Sequence, residues 1–69
     1  MKIRLADADQ LSELLHFLRE RGCIAYAAEA GDVIEAIRPH AFGAQEEAEI
    51  RELVEIWQRE HPDAEVSVD

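Results

Sequence analysis

The sequence predicts an α+β domain whose elements run strand, helix, strand, strand, helix, strand. Two segments carry apolar residues at helical spacing, both ends of the chain alternate apolar with polar residues, and the stretch between the helices is broken at Gly31-Asp32.

Lys2 to Ala6 puts Ile3 and Leu5 on one side and Lys2 and Arg4 on the other, the period of a half-buried strand. Asp7-Ala8-Asp9-Gln10 stops it, and Asp7 with Gln10 has the spacing of a capping box. Leu11, Leu14, Leu15 and Leu18 then recur at i, i+3, i+4, i+7, the core stripe of an amphipathic helix. Arg19 and Arg21 suit the negative end of its dipole, and Gly22 suits a left-handed cap.

Ile24 to Ile37 reads as a hairpin. A three-residue loop Ala30-Gly31-Asp32 pairs Glu29 with Val33 and segregates Ile24, Tyr26, Ala28, Ile34 and Ala36 onto one face. A two-residue loop puts Tyr26, Glu35 and Ile37 on a common face, so hydrophobic segregation favours the longer turn. Pro39 to Gly43 is a connection, with Phe42 expected as a staple or core edge before the second helix. Ile50, Leu53, Val54 and Trp57 form that helix's stripe, Glu47 with Arg51 and Glu55 with Arg59 stand at i, i+4, and Pro62 ends it near His61. Val66 and Val68 alternate with Glu65, Ser67 and Asp69 in a last strand.

A chain of 69 residues has room for one domain, residues 1–69, and one thin core. At 48% apolar and 33% charged it falls in the range of folded globules rather than disordered chains. The single cysteine excludes an intrachain disulfide, so a second copy is the available support. A net charge of -9 with four dispersed aromatic residues argues against nucleic acid and anionic membrane surfaces. No apolar run approaches a bilayer span and the first residues lack a signal-peptide core, which predicts cytoplasmic residence.

The element order resembles the ferredoxin-like split βαβ fold, βαββαβ, over the whole chain. That resemblance implies a four-stranded antiparallel sheet, strands one and three central, with two helices on one face. Heavy-metal-associated domains of this shape carry Cys-x-x-Cys where this chain has Asp7-Ala8-Asp9-Gln10, which leaves soft-metal transport unsupported. ACT-type regulatory domains are similar in length and element order, but their usual glycine at the first helix entry is missing, and the analogy stays at the level of the fold.

On this layout Lys2 and Arg4 project from the helix-free face beside Glu35, Glu65 and Asp69, with Ala25, Ala27, Val33 and Ile37 as an apolar strip. Lys2, Arg4, Ala25, Ala27, Val33, Glu35 and Ile37 are thus the expected interface of a homodimer or another protein pair. One end of the sheet gathers Asp7, Asp9, Asp32, His61 and Asp63, but capping and turning explain the aspartates and no metal is expected. The other end gathers Arg21, Gly22, Cys23, Arg38 and His40. A thiol beside an imidazole or cation is driven toward thiolate, which makes Cys23 with His40 the one reactive pair to consider; a small buried apolar residue is the plainer reading of Cys23. His16 and His61 are expected on helix surfaces. No catalytic set and no cofactor emerge. The expected function is a non-catalytic interaction or regulatory domain that self-associates through its sheet. A thiol-dependent module using Cys23 and His40, and an acidic binder of a basic protein, are the alternatives.

Overall fold

The computed structural model describes residues 1–29 and 31–68. Ala30 and Asp69, read above into the hairpin loop and the last strand, lie outside the described residues. The elements are β1 (Lys2–Leu5), α1 (Leu11–Glu20), β2 (Ile24–Ala27), β3 (Val33–Ile37), α2 (Ala44–Glu60) and β4 (Val66–Val68). They build one sheet in the order β2-β3-β1-β4, antiparallel at every pairing, with β1 and β3 in the centre.

Ile3 and Leu5 of β1 and Ile34 and Ala36 of β3 point to one side, where they meet Leu14 and Leu18 of α1 and Ile50, Val54 and Trp57 of α2 in one buried cluster. Both helices therefore cover the same face, and the apolar stripes read from the sequence are the surfaces they bury. No charged or polar residue is buried among the described residues, so the core is held by apolar contact alone.

Local chemistry sets where α1 begins and ends. The Asp7 carboxylate accepts from the Asp9 amide at 2.9 Å and caps a 3-10 turn, Ala8–Gln10, that leads into the helix. At the far end Gly22 takes a φ of +89, its amide donates to the Arg19 carbonyl, and the Cys23 amide donates to the Leu18 carbonyl. These two bonds make a Schellman motif with Gly22 at C′ and Cys23 at C″. In α2 the Glu47 and Arg51 pair forms at 3.0 Å, whereas Glu55 and Arg59 make no ion pair among the described residues.

The hairpin register differs from the expected one. Ile24 pairs with Ile37, Ala25 with Ala36, Tyr26 with Glu35 and Ala27 with Ile34, one residue off the pairing of Glu29 with Val33. The Ala28 amide donates to the Val33 carbonyl at 2.8 Å, so the connection is Glu29 to Asp32, one residue longer than supposed. The slip turns every residue of β2 over. Ala25 and Ala27 take the helix side and Ile24 and Tyr26 the bare side.

The cause lies in the cap of α1. At C″, Cys23 packs back into the core and is only 6% exposed, and with a strand period of 2 that inward placement carries on to Ala25 and Ala27. Small residues also suit a strand lying directly beneath a helix. Hydrophobic segregation, which sent the bulky Ile24 and Tyr26 inward, is overridden by this local geometry.

Phe42 is a second departure: it is 83% exposed rather than a staple, and the neighbouring Ala41 is the residue buried in that connection. His61 is a third. It leaves the helix surface to stack on Trp57, ring centroids 4.1 Å apart and planes 15° from parallel.

Candidate functional site

The helix-free face of the sheet gathers most of the residues expected at an interface. Antiparallel pairing sets Lys2 opposite Glu35 and Arg4 opposite Val33, while Arg4 faces Ser67 on its other side. Ile37 lies beside Glu35's strand end, opposite Ile24. Ala25 and Ala27 are absent from this face; Ala25 is 5% exposed in the core cluster, and Ile24 and Tyr26 stand in their place.

The exchange enlarges the apolar surface. Ile24 is 57% exposed, Tyr26 53% and Ile37 47%, all on one corner of the sheet, whereas two alanines would have offered little area. Ile24 and Ile37 are direct cross-strand partners, and Tyr26 sits diagonally beside Ile37, within the reach of an aromatic ring. Val33, on the same face, is buried. Phe42 adds apolar surface at the same end of the sheet, in the connection that follows β3.

Charge frames this corner. Glu35 is half-buried, with the Met1 amino group 3.9 Å from its carboxylate. Lys2 and Arg4 are exposed and make no ion pair among the described residues, so the expected cross-strand pairing of Lys2 with Glu35 is a matter of register rather than of contact. In a chain of net charge -9, this face holds two cations against the single acid Glu35 on its three longest strands.

β2 forms one free edge of the sheet. The bond from the Ala28 amide to Val33 identifies Ala28, Tyr26 and Ile24 as the residues bonded to β3, which leaves the amides and carbonyls of Ala25 and Ala27 directed outward. Among the described residues one of these groups has a partner: the Ala25 carbonyl accepts from Arg19 Nε at 2.9 Å.

The thiol end is arranged differently from the expected pair. Cys23 is buried, and its polar neighbour is Arg38, whose Nη1 lies 3.8 Å from Sγ. His40 makes no hydrogen bond or ion pair to Cys23 among the described residues; it lines an open groove of about 250 Å³ with Arg21, Arg38 and Gln45. Arg38 is heavily engaged. It donates through Nε to Glu49 at 3.2 Å and through Nη1 to the Arg21 carbonyl, and its amide donates to Glu46. The hydrogen bond to Glu49, followed by that to Cys23, raises its pKa further above the ordinary guanidinium value, so its charge is fixed.

At the other end, among the described residues, no three His, Cys, Asp or Glu side chains come close enough to hold a metal ion. His61 there makes a link the sequence did not suggest. Its Nδ1 lies 2.9 Å from the Trp57 carbonyl and its Nε2 3.2 Å from the Glu13 carboxylate, so it joins α2 to α1. Among the described residues no helix is long and apolar enough to cross a membrane. Comparison with known proteins finds no family model, no curated relative and no solved structure that matches this chain.

Proposed function

We propose that the 69 residues form one ferredoxin-like, cytoplasmic, non-catalytic interaction domain that self-associates through its sheet. The layout supports the fold assignment: read from β4, the strand order is 4-1-3-2, with both helices on one side. The exposed apolar corner of Ile24, Tyr26 and Ile37 carries the functional reading. Large apolar side chains clustered on one face of so small a domain are what a pairing surface supplies and what an isolated monomer tends to bury.

Sedimentation velocity over a concentration series tests it. The chain is expected to shift from monomer toward dimer between micromolar and millimolar concentration, and Ile37→Lys, a charge placed on the exposed corner, is expected to weaken the shift at least tenfold. A chain that stays monomeric at millimolar concentration, with its fold intact by circular dichroism, overturns the proposal.

A further inference from the structure

We infer that the contact between two copies is made at the β2 edge, two β2 strands pairing antiparallel about a two-fold axis at Tyr26 to join two sheets into one of eight strands. This rests on the self-association proposed above and names its geometry.

An edge strand presents backbone donors and acceptors that another strand satisfies well, and soluble proteins ordinarily guard such edges with charge, proline or brevity. The two edges of this sheet differ in that respect. β4 has three residues and is bracketed in sequence by Glu65 and Asp69. β2 is Ile-Ala-Tyr-Ala, and the whole run Gly22 to Ala28 contains neither charge nor proline. Among the described residues its one guard is the Arg19 guanidinium on the Ala25 carbonyl, and a carbonyl oxygen has a second lone pair to offer a strand amide.

The outward groups of β2 suit a second copy of themselves. With Tyr26 on the two-fold axis, Ala25 faces Ala27 of the other copy and Ala27 faces its Ala25. Both outward amides and both outward carbonyls then find partners, four hydrogen bonds in all for the pair of strands. The segment Ala25-Tyr26-Ala27 reads the same in both directions, so small side chains meet small ones on the helix side. On the bare side the two tyrosines meet, and the exposed corners at Ile24 and Tyr26 merge across the seam.

Charge selects the antiparallel arrangement and tolerates a like-charged partner there. Arg21 precedes the uncharged run and Glu29 follows it, so antiparallel strands bring the basic end of one toward the acidic end of the other, whereas parallel strands align like with like. The acids of α1, Glu13 and Glu20, line the groove shared with α2, away from this edge. The stripe above β2 is Ser12, Leu15 and Arg19, placed there by the bond from Arg19 to Ala25 and by helical spacing. Among the described residues the helical stripe over this edge is thus free of acid, and the exposed Glu29 at the end of the strand comes toward Arg21 of the other copy rather than toward its Glu29.

Proline at an outward-facing amide of an edge strand removes a donor without breaking the strand's own ladder, which makes Ala27→Pro the decisive variant. Ala27→Lys is its companion, because a lysine at this exposed position guards the edge by charge and leaves the backbone unchanged. Each variant is compared with the parent chain by sedimentation velocity at matched concentrations, with circular dichroism as the check of fold. The expected result is a folded monomer for Ala27→Lys, with association weakened at least tenfold, and the same for Ala27→Pro wherever its fold is retained. If Ala27→Lys associates as the parent does while Ile37→Lys does not, the copies stack face to face and the edge assignment is overturned with self-association intact. If the parent chain does not associate at all, both fall.

Discussion

At a φ of +89 Gly22 lets α1 close with two capping bonds and turn directly into β2. A side chain at this position meets the left-handed penalty, and its Cβ would stand 3.4 Å from Arg38 Nη1. Gly22→Ala is expected to cost about 1–2 kcal/mol, read as a lower urea midpoint with an unchanged slope. A loss of only a few tenths would mean the cap is not what holds this corner. Cys23, next in the chain, is explained by the same motif: its sulfur packs inward as the C″ residue and accepts a long contact from Arg38. His61 shows how a polar side chain serves a thin core. It covers the Trp57 ring and lies within hydrogen-bond distance of a carbonyl on one side and a carboxylate on the other.

The helices owe their place to packing more than to surface charge. Leu18 is fully buried between α1 and the sheet, so Leu18→Ala is expected to cost about 2–5 kcal/mol. The exposed pair of Glu47 and Arg51 is worth far less, and Glu47→Ala is expected to change stability by no more than about 0.5 kcal/mol. Urea unfolding of the two variants side by side checks the contrast; equal losses would contradict a core held by apolar contact. Among the strands, β2 is the informative one. Its faces are set by the end of the preceding helix, and the parity that turns two alanines to the helix side and buries Ala25 also exposes an isoleucine and a tyrosine. The edge contact inferred above is therefore a consequence of where α1 stops.

For the molecule as a whole, a net charge of -9 acts against the meeting of two copies. A two-fold pairing has to overcome that repulsion, which salt screens over about 10 Å at 0.1 M. Self-association is expected to strengthen when sodium chloride is raised from 0.02 to 0.5 M, measured by the same sedimentation series. An acidic domain made to bind a basic partner behaves in the opposite sense, losing that partner as salt rises. Size bears on strength as well. A stable complex of standard size covers roughly 800 Å² on each partner, a large share of the 4447 Å² this chain exposes, and an edge contact of four backbone bonds covers less. The dimer is accordingly expected in the micromolar range or weaker, within reach of the concentrations proposed.

Element identity, element order and both helical stripes were legible in the sequence, because periodicities of 2 and 3.6 and the breaks at Asp7, Gly22, Pro39 and Pro62 are local properties of the chain. Lys2, Arg4, Val33, Glu35 and Ile37 were placed on the correct face for the same reason. Ala25 and Ala27 were not, and the signal that would have placed them was present but of another kind: glycine at C′ of a helix sends the next residue inward and fixes the parity of the strand that follows. Tertiary structure alone decided the exposure of Phe42, the reach of His61 to Glu13, and the replacement of His40 by Arg38 beside Cys23. Those contacts join residues remote in sequence. They depend on how the helices come to rest on the sheet, and no local repeat in the chain encodes that.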